Sequence, residues 1–246
     1  MYHVLEEKGR EPQYDGYVES FTENWKKLER YDNNAPKTMN AHLHVLEAYT
    51  LLYQCWKDNG LKKRLEFCVD LFMNRIYDPS RKHFNLFFDN EWNSLVEMDS
   101  YGHDVETGWL LCEAARTLEN QDLIEQTNQL ALDVTEACLA EGMSDKGYMI
   151  YEKKGDRKTK HASWWGQIET VIACVNAWQI SGSDVYLQSV DTVWTFVKDH
   201  MVDKEYGEWY SDCFDGEPKK EAPKVSMWRC PYHTVRLGVE MYNRLK

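Results

Sequence analysis

The chain contains 246 residues, 43% of them hydrophobic and 28% charged, which is ordinary for a globular protein with one sizeable core. Its formal net charge of −12 disfavours nucleic acid, which requires a basic stripe, and also disfavours an anionic membrane surface. The 10 Trp and 15 Tyr exceed what core filling usually requires. Two explanations stay open for them: a large helical core, or a pocket in which aromatic rings pack against the C–H faces of sugars.

The sequence shows neither a secretion signal nor a membrane span. The first residues, MYHVLEEKGRE, lack an apolar signal-peptide core, and no apolar run approaches the roughly 20 residues of a spanning helix. The seven cysteines form no C-x-x-C pair. Five of them lie in helical patterns as small buried apolar residues would: Cys55, Cys68, Cys112, Cys138 and Cys174. We therefore expect a cytoplasmic protein with reduced thiols.

Two kinds of helix alternate along the chain. The apolar positions predict helices packed on more than one side at 38–56, 103–118, 162–180 and from 231 to the C-terminus. They predict helices with a single apolar face at 61–77, 121–141 and 184–201. This alternation indicates a repeated unit made of an inner helix and an outer helix.

The segments between the helical pairs repeat as well. Each is short, aromatic and alternating, which predicts an extended or hairpin loop at 13–21, 82–90, 146–154 and 205–213. Gly16, Gly147 and Gly207 mark the turns. The inner helices begin about 62, 62 and 67 residues apart, a period typical of repeat architectures.

Helical hairpins of this kind close into an (α/α)6 barrel or stack into an open solenoid, and periodicity does not choose between the two. Six units would require roughly 370 residues, whereas this chain holds three units and one final inner helix. We therefore expect one all-α domain over residues 1–246 that forms the C-terminal portion of an (α/α)6-type barrel. That ring would be incomplete, with more than a third absent at the N-terminus and short hairpin loops at the mouth.

The first inner helix carries Asn40, His44 and Glu47 on one face, spaced i, i+4, i+7. His42 lies about 200° from His44 around the helix axis, which argues against a shared metal. His44 is either a hydrogen-bonded core histidine or a functional one. Asn40 is a substrate-binding candidate on the same face.

The other inner helices each begin with His or Trp and place a charged residue three or four positions later, where a purely structural core would predict aliphatic residues. A carboxylate in that position can orient an imidazole. Adjacent tryptophans at a helix start either fill a core or provide a stacking wall. The pairs are His103 with Glu106, Trp165 with Glu169, and His233 with Arg236 and Glu240.

Other chemistries find little support in the sequence. It contains no G-x-G-x-x-G, P-loop, G-x-S-x-G or H-E-x-x-H motif. His161 and His200 occur in polar stretches, which predicts solvated side chains. The helix carboxylates keep glycoside hydrolysis open, because that reaction needs two carboxylates with separate roles; they are Glu47, Glu106, Glu169 and Glu240.

Four motifs carry a family resemblance: KTMN-x-HLHVLEAY, SYGHD, WWGQ-x-E and W-x-CPYH. In this order they resemble the cellobiose 2-epimerases of the N-acylglucosamine 2-epimerase superfamily, from about residue 15 to the C-terminus. The resemblance implies an (α/α)6 barrel that needs no metal or other cofactor. It also implies conversion of the reducing-end glucose of a β-1,4-linked disaccharide to mannose.

The resemblance assigns a role to each matching residue. His233 corresponds to the base that removes and returns the C2 proton, and His103 to the acid/base of ring opening and closing. Residues that hold the sugar or tune the histidines correspond to His44, Glu106, Glu169 and Arg236, and the aromatic subsite walls to Trp165 and Trp228. The family also uses an arginine and aromatic residues from its first two repeats, which this chain does not match.

An open ring would expose the apolar faces of inner helices, so we expect the chain to associate with other copies or to epimerise poorly. Two other hypotheses stay open. The chain is a hydrolase that uses the carboxylates, or it is a non-catalytic remnant that binds sugar or protein. Hydrolysis would release monosaccharides, whereas epimerisation conserves the disaccharide.

Overall fold

A computed structural model describes residues 1–28 and 34–246 of the chain. The described residues divide into two compact units: Met1–Asp99 with Leu110–Thr127, and Ser100–Trp109 with Asn128–Lys246. Within the described part of the chain, none of the helices combines the length and the apolar character that crossing a membrane requires. The single domain over residues 1–246 stays a prediction.

Helices dominate both units, as the periodicity predicts. They are α1 (Tyr2–Val4), α2 (Met39–Cys55), α3 (Asn59–Leu71), α4 (Tyr101–Thr117), α5 (Gln121–Gly142), α6 (Trp164–Ser181), α7 (Val185–Phe196) and α8 (Tyr232–Arg244). Three of them continue into a single π-helical turn, at Leu5–Gly9, Phe72–Ile76 and Val197–Met201. The seven predicted helices are found within a few residues of their expected bounds.

Side-chain caps fix the starts of three helices. The hydroxyl of Thr38 accepts a hydrogen bond from the backbone N–H of Ala41 at the start of α2, and Asp58 caps α3 in the same way. Ser163 accepts from the N–H of Gly166 at the start of α6. Each cap pairs a backbone donor that the first helical turn leaves without a partner.

Short strands occupy the connecting segments. They are β1 (Lys37–Thr38), β2 (Tyr77–Asp78), β3 (His83–Phe84), β4 (Phe87–Phe88), β5 (Met98–Asp99), β6 (Glu152–Lys154), β7 (Arg157–Thr159), β8 (His161–Ser163), β9 (Asp212–Phe214) and β10 (Glu217–Pro218). Antiparallel hairpins join β2 to β3, β6 to β7 and β9 to β10, while β8 pairs with β9 and β1 with β4. Gly16, Gly147 and Gly207 adopt positive φ angles at the predicted turns.

In the first unit, α2 packs on α3. The inward positions of α3 and its π turn are buried as predicted, among them Leu65, Val69, Phe72 and Ile76. Tyr17 and Tyr49 both donate their hydroxyl hydrogens to Glu6, at 2.6 and 2.5 Å, so this buried aromatic layer is tied to one carboxylate.

In the second unit, α6 packs against α7 and α8. Every residue of α6 from Gly166 to Ala177 is buried, which accounts for its apolar character on all sides. The last helix differs from the prediction of a buried inner helix. Only Arg236 and Leu237 of α8 are buried, and the apolar face through Val235 and Val239 is exposed.

The prediction of five buried helical cysteines is wrong in one case. Cys55 is exposed because it is the last residue of α2, where the helix surface is no longer covered. The other four are buried: Cys68, Cys112, Cys138 and Cys174. Burial raises the pKa of the Cys174 thiol to about 12, which keeps it protonated.

Candidate functional site

The candidate site lies in the second unit, where the first turns of α4, α6 and α8 supply its side chains. His103 is the third residue of α4, Trp165 the second of α6 and His233 the second of α8. Each helix therefore presents an aromatic or imidazole ring close to its N-terminal end. All three rings are partly buried.

Both predicted histidines contact one indole. The centroid of the Trp165 ring lies 4.6 Å from that of His103 and 5.8 Å from that of His233, the latter pair inclined by 33°. The two imidazole centroids are therefore no farther apart than the sum of these distances. Residues separated by 130 positions in sequence therefore pack on the same indole ring.

A close approach between α4 and α6 makes this arrangement possible. A β-carbon on Gly102 would lie 2.6 Å from Cζ3 of Trp165 and 3.2 Å from the backbone Cα of Gly166. Both distances are shorter than carbon atoms tolerate without displacement. Glycine at position 102 thus allows the Trp165 ring to pack directly on the start of α4, beside His103.

Beneath the rings, Glu169 is fully buried and holds three partners. Its Oε1 lies 2.7 Å from Nδ1 of His233 and accepts from Nη1 of Arg236 at 3.1 Å. Its Oε2 accepts from the indole N–H of Trp109 at 2.9 Å. The same guanidinium nitrogen of Arg236 donates to Glu106 at 2.6 Å. A buried carboxylate is stable only when it is paired in this way.

The contact with Glu169 fixes which nitrogen of His233 carries hydrogen. Glu106, Glu169 and Arg236 together carry a formal charge of minus one beside this imidazole. A carboxylate only accepts hydrogen bonds, so Glu169 fixes the hydrogen of neutral His233 on Nδ1. The lone pair is then on Nε2, which suits a general base.

Glu106, Glu169 and His233 could in principle hold a metal, since one ligand atom of each lies within 4.8 Å of the others. The guanidinium of Arg236 already provides a cation to both carboxylates. A divalent ion would have to displace it, so the donor set fits a metal poorly. That the protein needs no metal or other cofactor stays a prediction.

The remaining candidates are placed differently. Trp228 is 81% exposed, so the predicted subsite wall presents its ring to solvent. Asn40 and His44 belong to the first unit. His44 is exposed and contacts Glu47 at 3.3 Å, so its interpretation as a core histidine is wrong; His42 holds that position. The roles of Trp228, Asn40 and His44 in a substrate site stay predictions.

Two other histidines are not solvated, contrary to the sequence prediction. His161 is stacked between the rings of Tyr151 and Phe214, at 4.6 and 5.0 Å, and its side chain is only 14% exposed. This burial lowers its pKa. His200 stacks on Phe196 and its Nδ1 lies 2.7 Å from the Gly216 carbonyl. The ring that stacks on His200 lies four residues earlier in the chain, whereas Phe214, which stacks on His161, lies 53 residues later.

Sequence reasoning missed three residues around the histidines. Trp109 binds Glu169, Tyr232 lies against the guanidinium of Arg236 at 4.1 Å, and the Ser100 hydroxyl lies 2.8 Å from Nδ1 of His103. One signal was available for Trp109: it follows Glu106 by three positions and thus shares its helical face. Ser100 precedes His103 by the same number of positions, so the spacing within SYGHD was an available signal for that pair as well.

Comparison with solved structures identifies the fold. The chain superposes on the crystal structure of a sugar epimerase from a ruminal bacterium with a TM-score of 0.94 at 32% identity, covering 99% of this chain and 64% of that one. The cellobiose 2-epimerase of Bacillus thermoamylovorans B4167 gives a TM-score of 0.94 at 34% identity, with the same coverage. The helical fold is therefore that of these sugar epimerases, as predicted, while closure of a ring and the position of the hairpins at its mouth stay predictions.

Sequence comparison also identifies sugar epimerases as the relatives of this chain. Residues 1–236 match the family model of N-acylglucosamine 2-epimerase, and the chain belongs to this family. It is 40% identical over 237 residues to the cellobiose 2-epimerase of Bacteroides fragilis, and 35% identical over 251 residues to that of Dictyoglomus turgidum. These alignments cover 92% and 100% of this chain, but 60% and 64% of the relatives' own lengths.

Proposed function

We propose that the site catalyses cofactor-independent epimerisation at C2 of the reducing-end glucose of a β-1,4-linked disaccharide, yielding the mannose epimer. The observation that carries this proposal is the packing of His103 and His233 on the single ring of Trp165. The relatives named cellobiose 2-epimerase support the choice of substrate class. An indole face beside two imidazoles suits a hexose, whose C–H groups pack on aromatic rings.

The reaction begins with ring opening. His103 moves a proton from the O1 hydroxyl to the ring oxygen as the C1–O5 bond breaks, which leaves an aldehyde at C1. The aldehyde acidifies the hydrogen on C2. Holding the open sugar beside both histidines supplies the proximity that a reaction in solution lacks.

Epimerisation then requires a base at C2. His233 takes the C2 proton on Nε2, and the electron pair of the C–H bond passes to the enediolate. Glu169 stabilises the imidazolium through Nδ1–H, while Arg236 and Trp109 keep the carboxylate in place. Return of the proton to the opposite face of C2 gives the epimer, and no atom or electron is gained or lost.

Glycoside hydrolysis fits this geometry less well. It needs two carboxyl groups roughly 5 to 9.5 Å apart, on either side of the glycosidic bond. Glu106 and Glu169 offer oxygens within 4.8 Å of each other, and both contact the same nitrogen of Arg236. They are therefore directed at an internal cation rather than at opposite sides of a substrate.

Deuterium exchange tests the proposal directly. The full chain is incubated with cellobiose in D2O and C2 is followed by NMR, with chromatography of the products. We expect deuterium at C2, a mannose-containing disaccharide and no free glucose. His233→Ala should abolish exchange, whereas His3→Ala, which removes an exposed histidine, should retain it. Monosaccharide release, or no exchange by the unaltered chain, contradicts the proposal.

A further inference from the structure

The two histidines have different partners at Nδ1. His233 faces a carboxylate, which can only accept, and its hydrogen is thereby fixed on Nδ1. His103 faces the hydroxyl of Ser100 at 2.8 Å, and a hydroxyl can either donate or accept. The role that Ser100 takes therefore bears on whether Nδ1 of His103 carries a hydrogen.

The position of Ser100 favours donation. It immediately precedes α4, its carbonyl accepts from the backbone N–H of Asp104, and its side chain is almost completely buried. At the N-terminus of a 17-residue helix, the aligned peptide dipoles create a positive potential. That potential stabilises a lone pair on Nδ1 of His103. It disfavours a hydrogen on the same nitrogen.

We propose that Ser100 is a positioning residue: its hydroxyl donates to Nδ1 of His103 and holds the neutral ring in the tautomer that carries hydrogen on Nε2. This inference rests on the proposed epimerisation for its consequence. The sugar would then meet opposite states of the two rings, a hydrogen on Nε2 of His103 and a lone pair on Nε2 of His233. His103 would then donate to O5 during ring opening, and His233 would take the proton from C2.

Nitrogen-15 NMR of the full chain with labelled histidine reads the tautomers without turnover. The His103→Gln and His233→Gln variants identify the two signals. At about pH 7.5 we expect hydrogen on Nε2 for His103 and on Nδ1 for His233. Ser100→Ala should convert His103 to a mixture of tautomers, and Ser100→Thr, which keeps the hydroxyl, should restore the single form.

Ser163→Ala is the matched control. Ser163 is as buried as Ser100 and caps α6, but its hydroxyl pairs with the N–H of Gly166 rather than with a histidine. Loss of that cap should leave the His103 signal unchanged. Hydrogen on Nδ1 of His103 in the unaltered chain, or an unchanged signal in Ser100→Ala, overturns the proposal.

Turnover separates this inference from the proposed function. If the unaltered chain shows no C2 exchange, the epimerase proposal fails, while the tautomer result still decides the role of Ser100. If exchange occurs, Ser100→Ala should lower kcat about tenfold with a smaller change in KM, and Ser100→Thr should recover most of it. If Ser100→Ala altered the tautomer of His103 but left kcat unchanged, Ser100 would have no role in the reaction.

Discussion

His42 shows how one buried side chain couples the fold of the first unit to pH. Its Nε2 accepts from the N–H of Tyr17 at 2.8 Å, and its Nδ1 lies 2.6 Å from the Thr38 carbonyl, so the ring is neutral with hydrogen on Nδ1. Burial lowers its pKa to about 4. Below about pH 6.5 the unfolded chain takes up a proton at this residue and the folded chain does not.

We therefore expect stability to fall as the pH drops from about 6.5 to 4, by on the order of 2 to 3 kcal/mol from this residue. Urea unfolding at several pH values measures the slope. His42→Gln should be less stable at neutral pH but show a shallower slope. His44→Gln, which changes the exposed histidine two residues away, should keep the original slope. Equal slopes in all three proteins would contradict the assignment.

Trp109 offers a second test with a single residue. Trp109→Phe keeps an aromatic ring but removes the N–H that Glu169 accepts. Losing a hydrogen bond to a buried charge should cost about 1.5 to 3 kcal/mol of unfolding free energy. It should also slow C2 exchange, because Glu169 would hold His233 less firmly. Trp178→Phe changes a tryptophan in a hydrophobic cluster around Cys174 and should leave C2 exchange unchanged. An equal loss of C2 exchange in both variants would argue against a specific role of Trp109.

At the scale of helices, the contact of α4 with α6 determines the site. Gly102→Ala places a methyl group against Trp165 and the backbone of Gly166, so we expect a loss of about 1 to 3 kcal/mol from overpacking. The displaced indole should also lower C2 exchange. Thermal unfolding and exchange rates measure the two effects.

Gly238→Ala is the control for a glycine in a helix. A β-carbon at this position of α8 has no atom within 4 Å, so the variant should be neutral or more stable by up to about 1 kcal/mol. Retained stability and exchange in Gly102→Ala would show that the close approach does not position the tryptophan.

At the scale of the whole molecule, α8 exposes an apolar face. Val235, Val239 and Tyr242 are all more than half exposed at helical spacing. Contiguous apolar surface of this kind favours association between copies. We expect concentration-dependent self-association in sedimentation velocity. Val239→Lys should weaken it, whereas Gln188→Lys, which adds the same charge on α7, should not; monodisperse behaviour of the unaltered chain would contradict the prediction.

Periodicity predicted the helices well because burial of an apolar face imposes a spacing that the sequence records directly. It placed α3 with a single apolar face, on which Leu65 and Val69 are buried, and it predicted α6 as a helix packed on more than one side. It failed at α8, whose apolar residues match an inner helix although the described chain leaves them exposed. Apolar spacing shows which face would be covered, but not whether anything covers it.

The sequence by itself determined the alternation of helices, the glycine turns between the helical pairs, and the family to which the motifs belong. It also singled out His103, Glu169 and His233. Only the tertiary structure decided that both histidines pack on Trp165, that His42 rather than His44 is the buried histidine, and that Ser100 and Glu169 hold different imidazoles. The reason is physical: spacing along a helix fixes the direction of a side chain, whereas partners such as Glu169 for His233 and Tyr17 for His42 come from residues tens of positions away, brought there by packing.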